Sequence, residues 1–249
     1  MSFKISFKLD KLLSELSNEI PISTITAPFE EKLQKNIEEE TPDAFMLKET
    51  TIGEESVSVL YKQGNQSLYI SIFGPKEMRI REKANGEYAK IELFTKFSLE
   101  LPQNLQETIN KKIKKFAKDM ILRTSYPRCQ ITINMNIFNT SCIIDKYSLI
   151  PKICNGLMMA LCISGINLKM ICLAKGFLDN NKERCMIFME VKDKDNDDED
   201  NIYYFDSDNP LDMNNYAELV NKTKNSIQIL NKKLKNFIYT KFINDKFYY

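Results

Sequence analysis

Carboxylates and cations, rather than histidines, are the residues of this chain that could carry chemistry. The chain has 249 residues and no histidine. It therefore lacks the usual general base, the central member of Ser-His-Asp and Cys-His systems, and the commonest zinc ligand. Acid–base chemistry would depend on carboxylates, lysine, tyrosine or cysteine. The six cysteines lie in apolar segments without a C-x-x-C pair, which predicts reduced, buried thiols: Cys129, Cys142, Cys154, Cys162, Cys172 and Cys185.

The densest group of carboxylates is one run between residues 192 and 201. It contains Asp193, Asp195, Asp197, Asp198, Glu199 and Asp200. As a calcium loop from Asp193 it lacks the glycine expected at Asp198 and the glutamate expected at Tyr204. As a magnesium-dependent nuclease site it does offer the ligands that magnesium prefers. An unbroken charge run between strands is nevertheless typical of a solvated loop, so we predict no metal site.

Two groups of cations could meet a polyanion, although the net charge of the whole chain is only +1. The first follows Gly74-Pro75 and consists of Lys76, Arg79, Arg81 and Lys83; pairing with the nearby glutamates is an equally open interpretation. The second is one face of a predicted helix, where a solvated surface is favoured over phosphate binding. Its lysines are Lys111, Lys112, Lys114, Lys115 and Lys118.

The elements that must position these residues predict an α+β domain. Alternation at residues 57–61 and 68–73, around a turn at Gly64-Asn65, predicts a β-hairpin that Gly74-Pro75 ends. Further strands are predicted at residues 88–97, 130–138, 170–177, 184–191 and 202–205.

Three helices complete the prediction. One begins at Pro102 and is broken by Tyr126-Pro127, and a long amphipathic one covers residues 211–242. The helix at residues 148–164 is apolar all round, which indicates burial, and Gly165 caps it. Residues 1–50 are predicted to be an N-terminal extension and residues 51–249 one domain. The longest apolar stretch, residues 153–168, is too short for a membrane span of ~20 residues.

Several motifs, in order and at fitting distances, resemble those of the ribonuclease PH-like proteins of the eukaryotic RNA exosome ring. They are Gly53-Glu54-Glu55-Ser56, Gly64-Asn65-Gln66, Gly74-Pro75-Lys76-Glu77, Tyr126-Pro127-Arg128 and the helix end Met159-Ala160-Leu161-Cys162-Ile163-Ser164-Gly165-Ile166. The resemblance covers residues 52–178, and favours the mRNA-transport-regulator type of subunit over the ribosomal-RNA-processing type. It implies a ribonuclease PH-like fold, with mixed β-sheets packed against a buried helix and a long C-terminal helix.

The resemblance also implies that this chain is not an enzyme. Active members use a Ser-Arg pair to hold phosphate, an arginine-rich loop to grip RNA, and aspartates near a late strand. Here the Ser-Arg position corresponds to Leu149-Ile150, and the loop corresponds to residues 97–102, which contain no cation. We therefore expect no catalytic residue, no metal and no cofactor.

The implied partners are other ribonuclease PH-like subunits in a hetero-hexameric ring, cap subunits, a catalytic nuclease and single-stranded RNA, without a membrane. The implied location is the nucleus, including the nucleolus, and the cytoplasm. In the resembling family the turn after Gly74-Pro75 faces the central opening of the ring, so Lys76, Arg79, Arg81 and Lys83 are the predicted RNA contacts. Two alternatives remain: an exoribonuclease active in its own right, metal-dependent or phosphorolytic, and a stand-alone RNA-binding module, which would need aromatic residues interleaved with a basic patch.

Overall fold

A five-stranded sheet and a three-stranded sheet enclose the core of the computed structural model. The structure describes residues 45–51, 56–63, 66–78, 86–98, 101–139, 145–178, 184–191, 201–210 and 212–246. The larger sheet has the order β1-β2-β3-β5-β4: Phe45–Thr51 (β1), Ser56–Gln63 (β2), Gln66–Glu77 (β3), Lys90–Phe97 (β4) and Cys129–Asn139 (β5). The smaller has the order β6-β7-β8: Cys172–Leu178 (β6), Arg184–Glu190 (β7) and Ile202–Ser207 (β8). Three α-helices accompany them in this part of the chain: Gln103–Met120 (α1), Lys146–Ser164 (α2) and Met213–Lys246 (α3).

The predicted hairpin is confirmed, but Gly74-Pro75 does not end its second strand. Strands β2 and β3 pair antiparallel, and β3 pairs next with β5. The register shifts between Phe73 and Lys76, after which Lys76 and Glu77 still pair with β5. Because proline has no N–H to donate, it is tolerated at such a bulge, and Gly74 supplies the positive φ of 99°. The bulge therefore interrupts the strand where we predicted its end.

The first strand was not foreseen from the sequence. Strand β1 pairs antiparallel with β2 along its whole length, from Phe45 opposite Gln63 to Thr51 opposite Val57. It crosses the boundary that we predicted between residues 50 and 51. Its apolar residues are consecutive rather than alternating, so it lacks the period-2 signal, and its neighbour β2 provides the pairing that makes it a strand.

Helix α1 connects β4 to β5, which are parallel neighbours and so require a crossover of this kind. Its buried side is made of Ile109, Ile113, Phe116, Ala117 and Met120, which recur at helical spacing as the sequence predicted. The lysines therefore lie on the side that faces away from the core.

Helix α2 is the buried centre of the domain and packs on β2 and β3 of the larger sheet and on β6 and β7 of the smaller one. It is apolar and long enough to cross a membrane by composition, but 72% of it is buried inside the protein. It ends at Gly165, whose φ of 70° is the left-handed conformation of a helix cap. Both the burial and the cap confirm the prediction.

The described cysteine thiols are buried or half-buried together with the strands and helices that carry them. Cys154, Cys172 and Cys185 are buried, and Cys129 and Cys162 are half-buried. Burial raises the pKa of Cys162 to about 11 and the pKa of Cys172 to about 12, because the thiolate is disfavoured away from water. The thiols of Cys162 and Cys172 are therefore protonated and unreactive near neutral pH.

Candidate functional site

The position that corresponds to a phosphate-holding Ser-Arg pair lies in the first turns of α2. Leu149 is 2% exposed there and Ile150 is 1% exposed, and both belong to the hydrophobic core. Neither side chain has a donor that could hold a phosphate oxygen. Replacing them by a hydroxyl and a guanidinium would place polar groups in this core, so the apolar pair is part of the fold.

The N-terminus of α2 is already occupied by a carboxylate. Free N–H groups at a helix N-terminus are a natural site for an anion such as phosphate. Here the side chain of Asp145 accepts a hydrogen bond from the Tyr147 backbone nitrogen at 2.7 Å. A guanidinium nitrogen of Arg184 lies 3.5 Å from the other oxygen of the same carboxylate. An incoming phosphate would therefore meet a negative charge at this end of the helix.

Two lysines around this end of α2 are paired with carboxylates from β8 and the segment that follows it. Lys112 of α1 pairs with Asp206. The ammonium of Lys146 lies 3.1 Å from Asp208, which also accepts a hydrogen bond from the hydroxyl of Tyr147. A phosphate would have to displace these carboxylates before it could use the lysines.

The hydrogen bonds among Lys146, Tyr147 and Asp208 shift the pKa values of these three groups. Burial, followed by the hydrogen bond to Asp208, raises the pKa of Tyr147 to about 12. That same hydrogen bond, with smaller contributions from Lys146, holds the pKa of Asp208 below its ordinary value. The pKa of Lys146 is raised, first by Tyr147 and then by Asp208, so the ammonium stays charged. At neutral pH Lys146 and Asp208 therefore stay charged and Tyr147 stays protonated, unlike a catalytic group held near its pKa.

Replacing Tyr147 by phenylalanine should remove part of the loss of stability at high pH. The folded state holds the Tyr147 proton more tightly than the unfolded state does. The stabilisation is therefore complete below pH 10 and is lost as the pH rises towards about 12. We expect Tyr147→Phe to cost about 1 kcal/mol near pH 7 and to flatten the curve of unfolding free energy between pH 9 and 12.

Urea unfolding at a series of pH values measures this effect. Tyr239→Phe is the matched control because Tyr239 is 69% exposed and should change neither quantity. An alkaline limb that is identical in wild type and Tyr147→Phe would contradict the assignment of this hydrogen bond.

A small cleft opens between α1 and β8, beside the start of α2. We call it the α1–β8 cleft; its volume is about 90 Å³. It is lined by Lys112, Lys115, Phe116, Ile150, Cys154, Phe188, Tyr203 and Tyr204. Ile150 stands in its wall at the position of the missing arginine, so the cleft has an apolar interior with lysines and tyrosines around it.

Comparison with the sequence pattern of a protein family identifies the kind of domain. The model of domain 1 of the 3′ exoribonuclease family, the ribonuclease PH family, matches residues 45–167. Residues 45–167 therefore form a ribonuclease PH-like domain. The match begins at the first residue of β1 and ends two residues after Gly165, so it contains the whole five-stranded sheet with α1 and α2.

Individual relatives agree with this assignment of a ribonuclease PH domain. The exosome complex component rrp46 of Schizosaccharomyces pombe is 26% identical over 111 residues, which are 45% of this chain and 47% of that protein. The chain thus matches about half the length of this curated relative. The crystal structure of Rrp46 from rice (Oryza sativa) covers 80% of this chain and 94% of its own, with a TM-score of 0.61 and 15% identity. An archaeal exosome core structure covers 93% and 97%, with a TM-score of 0.50 and 13% identity. The predicted ribonuclease PH-like α+β fold is therefore confirmed.

In this ribonuclease PH domain the late strand offers no carboxylate to the α1–β8 cleft. The five central residues of β7, Cys185 to Met189, are buried and apolar, and Phe188 lines the cleft. Among the residues that the structure describes, no group of three or more His, Cys, Asp or Glu side chains could hold a metal ion. The run from Asp193 to Asp200 lies outside the described residues, so the absence of a metal site stays a prediction.

The predicted RNA contacts are only partly within the described residues of the domain. Lys76 is exposed near the end of β3, opposite Gln130, and Arg79, Arg81 and Lys83 lie outside those residues. Their role therefore stays a prediction. Tyr203 and Tyr204 were not predicted as site residues, because nothing in their local pattern shows that β8 packs beside α1.

Proposed function

We propose that this chain is a non-catalytic structural subunit of an RNA exosome ring, which supports 3′-to-5′ RNA processing and degradation by partner nucleases. The observation that carries this proposal is the replacement of the phosphate site by the buried Leu149-Ile150 pair and the Asp145 carboxylate. The name of the curated relative, an exosome complex component, supports the assembly.

The proposed partners are other ribonuclease PH-like subunits, cap subunits, a catalytic nuclease and single-stranded RNA. Nucleus, nucleolus and cytoplasm are the proposed locations, and the mRNA-transport-regulator type is the proposed kind of subunit. An apolar surface supports a protein neighbour: Phe94 is 58% exposed on the edge strand β4, and Phe73 on β3 is 38% exposed. Exposed aromatic residues on a sheet with an open edge are typical of a surface that another chain covers.

Purification of the tagged protein from its own cells at physiological salt tests the assembly. We expect other ribonuclease PH-like chains and RNA-decay proteins to be recovered in constant proportion to it. Phe94→Glu should reduce their recovery, because it places a charge on the β4 surface that a neighbour would cover. Tyr239→Glu, on the exposed side of α3, is the matched control and should not reduce it. Recovery of the wild-type protein as a lone monomer would contradict the proposal.

The purified chain should also have no phosphorolytic activity. Incubated with inorganic phosphate and single-stranded RNA, it should release no nucleoside diphosphates, because Leu149 and Ile150 have no donor that could hold the attacking phosphate. A parallel reaction with magnesium and no phosphate tests the metal-dependent alternative. The control variant replaces Asp195, Asp197 and Asp198 together by asparagine. If the wild type releases nucleotides in the magnesium reaction and this variant does not, the chain is a nuclease and the proposal is wrong.

A further inference from the structure

Four lysines form a continuous positive surface on α1, which we call the lysine face. They are Lys111, Lys114, Lys115 and Lys118, all of them exposed. Their spacing of i, i+3, i+4 and i+7 places them on one side of the helix, opposite the buried residues of α1. At 1.5 Å per residue the face extends for about 10 Å, the length of roughly three stacked nucleotides.

These lysines have no carboxylate partner among the described residues, whereas several other lysines of the domain do. Lys90, Lys146 and Lys222 each lie within 3.1 Å of a carboxylate. Lys111, Lys114, Lys115 and Lys118 form no ion pair with any residue in the described part of the chain, and the face has a charge of +4. Such a surface attracts a polyanion more strongly than it attracts a singly charged anion.

The lysine face adjoins a cluster of aromatic rings in the α1–β8 cleft. Lys115 belongs to both surfaces. In the cleft the rings of Phe116 and Phe188 are 5.7 Å apart, and those of Phe188 and Tyr204 are also 5.7 Å apart. The ammonium of Lys112 lies 5.6 Å from the centre of the Tyr204 ring. Phe116 and Phe188 are buried, and the half-buried Tyr204 that packs on them offers its ring to a base. An aromatic ring beside a track of cations is a feature with which proteins bind single-stranded nucleic acid without sequence preference.

We propose that the lysine face and the α1–β8 cleft together bind single-stranded RNA without cleaving it. The phosphates lie along Lys111, Lys114, Lys115 and Lys118, and one base enters the mouth of the cleft and stacks beside Tyr204. This inference rests on the proposed function, in which the chain handles RNA, and it names a surface separate from the predicted contacts at Lys76, Arg79, Arg81 and Lys83. The apolar interior of the cleft suits a base, whereas a phosphate would lose its hydration there and is better placed along the exposed lysines.

Fluorescence anisotropy of the full-length protein with a labelled single-stranded oligouridylate tests the lysines. Changing Lys111, Lys115 and Lys118 together to glutamine should weaken binding by about tenfold or more at low salt. It should also lower the slope of log affinity against log salt by about 2, since a single strand contributes about 0.7 per phosphate contact. The matched control neutralises three exposed lysines elsewhere, Lys96, Lys232 and Lys235. Equal losses in the two triple variants would overturn the proposal.

A pair of changes at one residue tests the cleft. Tyr204→Leu should weaken binding of the single strand by about tenfold, because a stacked base loses its ring, whereas Tyr204→Phe should bind as the wild type does. A double-stranded RNA of the same length should bind without this dependence on Tyr204, because its bases are not free to stack. Thermal unfolding of each variant shows whether the fold is intact, and the lysine variants test the site even if Tyr204→Leu is unstable.

The outcomes separate this inference from the proposed function. If the lysine variants bind RNA normally but no longer join the exosome ring, the lysine face is a protein interface and the inference is wrong. If the wild-type chain is a monomer that binds RNA through these residues, the inference holds and the ring proposal fails.

Discussion

Replacing Gly176 by alanine is expected to lower the free energy of unfolding by about 3 kcal/mol. A Cβ atom at this position would lie 1.9 Å from the carbonyl oxygen of Tyr147 and 3.2 Å from the Cγ of Pro151. The oxygen belongs to the backbone of α2 and cannot rotate away as a side chain would. Strand β6 would have to move from the first turn of α2, and the core between them would open.

Urea unfolding followed by circular dichroism measures this change, with Gly86→Ala as the matched control. Gly86 is exposed and a Cβ there would meet nothing within 4 Å, so that variant should stay within about 0.5 kcal/mol of wild type. If Gly176→Ala were as stable as Gly86→Ala, the close approach of β6 to α2 would be disproved.

The second large effect is expected at Asn155, where leucine should cost about 3 kcal/mol. The Asn155 side chain is buried, and its amide donates to the Ala174 carbonyl at 2.8 Å while its oxygen accepts from the Ala174 nitrogen at 2.7 Å. Ala174 lies on β6, an edge of the smaller sheet, so this amide takes the place of a neighbouring strand. Leucine has a similar branched shape, although it is larger, and it leaves both buried backbone groups without partners.

Thermal unfolding of Asn155→Leu and Asn134→Leu separates this effect from a general intolerance of leucine. Asn134 is exposed on β5, so leucine there should change stability by less than about 0.5 kcal/mol. If the Asn155→Leu protein were as stable as wild type, water or another group would have to form the hydrogen bonds to the backbone N–H and carbonyl of Ala174. Loss of stability only at Asn155 would confirm that α2 and β6 are held together by this amide.

Both positions show that the contacts of α2 with β6 are structural. In this domain the start of α2 is occupied by Asp145, by buried leucine and isoleucine, and by the close approach of Gly176. The polar groups around it pair with each other, as Lys146 does with Asp208. These polar pairs therefore connect α2 to its neighbouring elements. We expect RNA contacts on the surface beside them, at the lysine face.

Local patterns were enough to predict the hairpin, α1, α2 and the cap at Gly165. Alternation identifies a half-buried strand, and apolar spacing of three to four residues identifies a helix, because each follows from the geometry of a single element. The same reasoning missed β1, and it ended β3 too early at Gly74-Pro75. In both cases pairing with a neighbouring strand decided the outcome, and that pairing has no signal in the segment itself.

The chain's residue types and local periodicity predicted most of the elements and excluded histidine chemistry, because the chain contains no histidine. The resemblance placed the apolar pair Leu149-Ile150 at the phosphate-holding position. Only the tertiary structure decided what surrounds that position: Lys112 meets Asp206 across 94 residues, and Tyr147 meets Asp208 across 61. The reason is physical. The types of residue and their local periodicity are properties of the chain, whereas the packing of β8 against α1 depends on burying the apolar faces of both, which no segment specifies alone.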